Sequence, residues 1–194
     1  TKEEGRKRLR DKIALEYGGI DIIVHNAYAA YAFDPEERVH ATQLTWEDYH
    51  RQLVGSFQPV VELNTRLLSL MKRRGGGRLI HIATNLAAHP AISYSDYATV
   101  KGALLTYTRQ LARDLGRYGI TVNAIAPGLV YPTSSSKSTK KEVRDLLIQQ
   151  TPLGRLATAK DIAGPVLFLA SDYGQMMTGQ TLYVDGGLTM REKE

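Results

Sequence analysis

Tyr97 and Lys101 stand four residues apart, and Thr84 precedes Tyr97 by thirteen. On a helix of 3.6 residues per turn, a spacing of four sets two side chains on one face. A phenol beside an ammonium is a proton-transfer device. The positive charge favours the phenolate and draws the tyrosine pKa down from about 10 toward working pH. Such a phenol serves as a general acid or base. On a solvated helix the same Tyr-x-x-x-Lys spacing is commonplace, so its weight depends on its surroundings.

The elements that would position these groups are readable from periodicity. Four short apolar runs rich in β-branched residues, Asp21 to His25, Leu79 to Ala83, Ile120 to Ile125 and Leu182 to Val184, have the pattern of buried strands. Between them Trp46 to Arg73, Ser95 to Gly116, Lys140 to Gln150 and Ala159 to Ser171 carry apolar residues at three- and four-residue spacing, which predicts helices. Strands linked through helices must pair in parallel, so the class is α/β. Thr45 ahead of Glu47 and Asp48, and Thr158 three positions ahead of Asp161, are helix starts. Gly116 and Gly119 suit a helix end and the turn into the next strand. The stretch Ser134 to Lys141 holds only Ser, Thr and Lys, which predicts a mobile surface loop.

Composition narrows the class of function. The 194 residues suffice for one buried domain, here 1–194, and 43% hydrophobic with 23% charged residues excludes disordered and fibrous chains. With no cysteine there is no disulfide framework and no Cys metal site, and no metal is expected; a cytoplasmic setting fits. The longest apolar stretch, Pro165 to Ala170, is far short of the roughly 20 residues that span a bilayer, so no membrane role is expected. The formal charge of +5 invites a nucleic-acid reading. The basic groups Arg6 to Lys12, Lys72 to Arg78 and Lys137 to Lys141 are interleaved with acids or Gly and lack an aromatic platform, so no nucleic-acid partner is expected.

Several segments fall in an order that carries a resemblance. They are His25-Asn26-Ala27 after the first strand, Gly77-Arg78-Leu79-Ile80-His81-Ile82 leading to Thr84, and Tyr97-Ala98-Thr99-Val100-Lys101. Val122-Asn123-Ala124-Ile125-Ala126-Pro127-Gly128, Pro152-Leu153-Gly154-Arg155, and Thr178-Gly179-Gln180 through Val184-Asp185-Gly186-Gly187 follow. Together they resemble the classical short-chain dehydrogenase/reductase family, most of all its 3-oxoacyl-acyl-carrier-protein reductases, from about Asp21 to the last dozen residues.

The resemblance implies a Rossmann-like, doubly wound parallel sheet and an oxidoreductase using NADP or NAD. By this analogy Tyr97 protonates a carbonyl oxygen, Lys101 lowers its pKa and binds the nicotinamide ribose, and Thr84 stands where the family has Ser. Gln52, aligned through Gly55, falls at the family's relay Asn. Asn26 would tie neighbouring strands and Ala27 would line the cofactor path. Tyr28 replaces a glycine that lets the dinucleotide pass. His25 reads as a packed strand histidine. Pro127, Gly128, Val130 and Thr133 would meet the nicotinamide. The substrate implied is a small-molecule or acyl-carrier-bound ketone, and the assembly a homotetramer or dimer, with Leu104, Leu105 and Leu111 available to helix packing between copies or to the core.

The family's glycine-rich turn, whose amides cradle a pyrophosphate at a helix N-terminus, is not found before Asp21, where only Gly5, Gly18 and Gly19 occur. The resemblance therefore implies a domain lacking its N-terminal strands, and the non-Met start favours a fragment. Two readings follow: a carbonyl reductase, and a dehydrogenase-like binding or assembly subunit without catalysis. The latter is suggested by Thr84, Gln52 and Tyr28.

Overall fold

The computed structural model describes residues 3–31, 33 and 39–190; the first two residues and the last four lie outside it. Helix α1 (Glu3–Tyr17) ends at Gly18, whose φ of 68° lets the chain reverse into strand β1 (Ile22–His25). Helix α2 (Trp46–Gln52) begins where Asp48 accepts hydrogen bonds from the Thr45 amide and hydroxyl at 2.9 and 2.8 Å. A π-helical turn (Leu53–Phe57) and helix α3 (Gln58–Arg73) follow. The helix expected over 46–73 is thus divided. Pro59 has no amide proton to give the turn before it, and a Cβ on Gly55 would come within 2.4 Å of the Ala29 Cβ, so the turn seats the segment after β1.

Strand β2 (Gly77–Ile82), helix α4 (Ser95–Leu115), strand β3 (Ile120–Pro127), helices α5 (Lys141–Gln150) and α6 (Ala159–Ala170) and strand β4 (Thr181–Val184) complete the order. The four strands lie in sequence order and every pair is parallel, with Val24 opposite Ile80 and Leu79 opposite Val122. Every residue of β3 is buried, as a central parallel strand covered on both faces requires.

The two faces have separate cores. On one, Leu67, Leu70 and Met71 of α3 and Ala112 and Leu115 of α4 pack on Ile23, Leu79, Ile120 and Val122. On the other, Leu169 of α6 packs on Ile80 and Ile125. Helices on both faces of a parallel sheet make the α/β, Rossmann-like class expected. Leu104 and Leu105 are buried within the chain, and Leu111 packs against the first core. The loop at 134–141 departs from expectation. Ser136 and Thr139 are buried; the Ser136 hydroxyl donates to Val130 O at 2.7 Å and pairs with Thr133 at 2.8 Å, while the Thr139 hydroxyl is buried without a partner among the described residues. Paired hydroxyls can be buried where composition alone predicts solvent.

Candidate active site

Strand β2 delivers Thr84 just past its carboxyl end, and the opening turns of α4 carry Tyr97 and Lys101 against it. All three are buried, Lys101 to 4% exposure. The Thr84 hydroxyl accepts the Leu86 amide at 3.3 Å and lines the same cavity as the Tyr97 phenol. The Lys101 ammonium donates to Ile82 O at 2.7 Å and lies 5.9 Å from the Tyr97 ring centre and 5.4 Å from that of Tyr28.

Spacing alone suggested that Lys101 would draw the Tyr97 pKa down. In the structure burial holds it well above the ordinary phenol value; the neighbouring Tyr28 phenol adds to this, and the Thr84 hydroxyl opposes it only in part. The cause of the burial is the segment after β1. The rings of Tyr31 and Phe33 lie 5.3 and 5.1 Å from that of Tyr97, and Tyr28 stands edge-on at 6.3 Å. The Tyr31 phenol donates to buried Asp96 at 2.7 Å, and the Ala29 amide to the Ser56 hydroxyl at 3.0 Å, which pins the segment at two points. Burial also depresses Lys101, to about 8. Tyr28 was marked in the sequence as standing in the cofactor path, whereas Tyr31 and Phe33 were not foreseen; the aromatics at 28, 31 and 33 were the available signal.

Tyr97, Lys101 and Thr84 share a cavity of about 190 Å³ with Asn26, Tyr28, Pro127, Gly128, Val130 and Thr133. Gln52 and Ala27 are not among its lining residues. Gln52 is buried elsewhere and its amide oxygen accepts the Ser56 hydroxyl at 3.4 Å, because the π-turn that follows it carries Ser56 onto it. The relay position expected at Gln52 thus lies outside the cavity lining, with its amide oxygen engaged by Ser56. Asn26 is exposed at the cavity edge and makes no strand-tying bond among the described residues. Asp185 has a clearer positional role: it accepts from the Gly187 and Thr189 amides at 3.1 Å and from Asn85, next to Thr84, at 3.2 Å. Gly128 is required beside it, since a Cβ there would lie 2.8 Å from the Asp185 Cβ.

Beneath the site lies a second polar cluster. His25 bonds Asn64 Oδ1 at 2.8 Å, His81 bonds the Thr108 hydroxyl at 2.8 Å, and their rings are 5.4 Å apart. Burial, with His25 and Lys101 near it, depresses His81 to about 3, and burial lowers His25. Both histidines are packed and neutral at neutral pH.

Nicotinamide chemistry asks for donors to ribose hydroxyls, and Lys101 has three protons with one spent on Ile82 O. The residues fit that half of a dinucleotide. For the pyrophosphate half the sequence contains no Gly-x-Gly-x-x-Gly spacing.

A parallel α/β sheet with a buried Tyr-x-x-x-Lys pair at its carboxyl ends defines a short-chain dehydrogenase/reductase. Residues 1–189 match the family model described as enoyl-(acyl carrier protein) reductase, and the chain belongs to this oxidoreductase family. It is 31% identical over 180 residues to the 3-oxoacyl-[acyl-carrier-protein] reductase FabG of Escherichia coli (strain K12), covering 93% of this chain and 71% of that protein. The FabG of Vibrio cholerae serotype O1 is 30% identical over 190 residues, covering 98% and 75%. Among solved structures, a gluconate 5-dehydrogenase from Burkholderia cenocepacia J2315 in complex with NADP and tartrate superposes with a TM-score of 0.87 at 28% identity, covering 98% of this chain and 73% of that one.

Proposed function

We propose that the chain reduces a carbonyl, a 3-oxoacyl thioester or similar ketone, to an alcohol at the expense of NADPH or NADH, with Tyr97 as general acid. The observation that carries this is the arrangement: the Tyr97 phenol, the Thr84 hydroxyl and the Lys101 ammonium are buried together along one cavity at the carboxyl end of β2. The substrate oxygen sits between the Tyr97 and Thr84 hydroxyls. Thr84 orients it and stabilises the charge that develops there. Tyr97 transfers its proton to that oxygen, and the Lys101 ammonium offsets the phenolate left behind. Lys101 and Tyr97 would hold the nicotinamide ribose, with the backbone from Pro127 to Val130 and Thr133 beside the ring. When bound, the nicotinamide supplies the hydride.

The relatives named 3-oxoacyl reductases and the NADP-bound gluconate dehydrogenase support the cofactor and the carbonyl–alcohol chemistry. Among the described residues no helix is long and apolar enough to cross a membrane, and a cytoplasmic homo-oligomer, tetramer or dimer, acting on a free or carrier-bound ketone is the setting we infer. A second reading, a binding or assembly subunit without catalysis, is favoured by the place of Gln52 outside the cavity lining. Following nicotinamide absorbance with an acetoacetyl thioester and a panel of ketones separates the two. Turnover abolished by Tyr97→Phe supports the reductase; no turnover of any carbonyl, or turnover indifferent to that substitution, rejects it.

A further inference from the structure

We propose that Tyr28 determines access to this cavity: with Ser135 it forms a strap across the carboxyl end of β2 that a ligand reaching Lys101 must break. Tyr28 lies three residues past the end of β1, and Ser135 lies in the loop that follows β3. Because the sheet order is β1-β2-β3, a bond between those two loops has to pass over the end of β2, where Thr84 stands. That bond is present: the Tyr28 phenol and the Ser135 hydroxyl are 2.5 Å apart. Both residues line the cavity that holds Tyr97 and Lys101. Beneath the strap, the Lys101 nitrogen donates to Ile82 O at 2.7 Å and lies 5.4 Å from the Tyr28 ring centre and 5.9 Å from that of Tyr97. In open α/β sheets ligands enter from the carboxyl ends of the strands, which is the side the strap closes.

Ser135 is itself held in place. Its neighbours Thr133 and Ser136 are cross-bonded and anchored to Val130 O, so the strap is tied to a firm loop rather than to a free end. The ring and the hydroxyl of Tyr28 then have separable roles: the ring walls the cavity beside Lys101, and the hydroxyl latches it. Tyr28→Phe and Ser135→Ala each remove the latch and keep the wall.

The inference rests on the Tyr97–Lys101 cavity being the nicotinamide site, and not on turnover. The test measures NADPH affinity by its fluorescence in the full chain and its variants, with trypsin cleavage after exposed Lys137 as a ligand-free readout. A single neutral hydrogen bond of ordinary strength predicts a Kd about two- to tenfold lower in Tyr28→Phe. Ser135→Ala should shift it equally, and the double variant should equal either single one because both break the same bond. Cleavage after Lys137 should be faster in all three. Unchanged or weaker NADPH binding, additive effects, absent binding in every variant, or unchanged cleavage overturns the strap. Wild-type chain that binds NADPH with these shifts yet reduces no carbonyl sinks the reductase reading and leaves the strap standing.

Discussion

Replacing Lys101 by Met should stabilise the chain at neutral pH while abolishing reduction. The ammonium is buried to 4% exposure, and burial lowers its pKa from 10.5 to about 8. At about 1.4 kcal/mol per pKa unit, keeping that charge inside costs the folded state about 3 kcal/mol wherever both folded and unfolded lysine are protonated. Met retains the apolar stem and its length but loses the bond to Ile82 O, worth about 1 kcal/mol. The variant should therefore be about 2 kcal/mol more stable at pH 7. The sign across pH follows from the depressed folded value. Below pH 8 the penalty is complete; between pH 8 and 10.5 the folded lysine has released its proton while the unfolded one has not, so wild-type stability recovers. The advantage of Lys101→Met should shrink through that window and reverse above it. Urea unfolding followed by circular dichroism at pH 7, 8.5, 9.5 and 10.5, taken as the difference between the two proteins, cancels ionisation of the other tyrosines. A difference that stays constant with pH, or a variant less stable at pH 7, would refute the account of Lys101 as a buried charge.

Two further outcomes follow from the same geometry. Thr84→Val, which keeps shape and removes the hydroxyl that shares the cavity with Tyr97, should lower kcat for ketone reduction about a hundredfold, whereas Thr84→Ser should stay near wild type, as steady-state kinetics would record. His81, depressed from 6.5 to about 3, binds no proton in the folded state where the unfolded chain does, so stability should fall as pH drops from 6.5 toward 3, by as much as about 5 kcal/mol. Buried His25 contributes in the same direction, Lys101 stays charged throughout, and in His81→Thr the acid slope of thermal unfolding should be visibly shallower.

The architecture was legible because its signals are local. Unbroken β-branched runs mark parallel strands, and the Thr45–Asp48 and Thr158–Asp161 pairs form the helix starts their spacing implies. Helix α1 left no such mark: it buries none of its residues, so no apolar stripe announced it. The identity of the proton donor, its ammonium neighbour and the hydroxyl between them was also within reach, since one helical turn and one strand end bring them together. What could not be read was anything decided across the fold. Gln52 aligns with a relay position, yet the π-turn before Pro59 hands its amide to Ser56. Ser136 belongs to a polar run and is nonetheless buried, because its hydroxyl pairs with that of Thr133 three residues earlier and with a backbone carbonyl.

The sign of the Tyr97 shift is the sharpest such case, and it bears on the chemistry. Sequence spacing supplies the ammonium, whose pull lowers a phenol's pKa; the segment from Tyr28 to Phe33 supplies the rings that exclude water, whose effect is opposite and larger. Burial penalises the ammonium as well, drawing its pKa down to about 8, so it does not restore the balance in the closed cavity. A raised pKa keeps the phenol protonated at neutral pH and at the same time makes it a weaker acid than an ordinary phenol, so proton transfer in either direction is eased when the balance is brought back toward working pH. Oxidation would require the phenolate, which forms more easily once the aromatic cover lifts, water enters and the like-signed influence of the Tyr28 phenol is withdrawn.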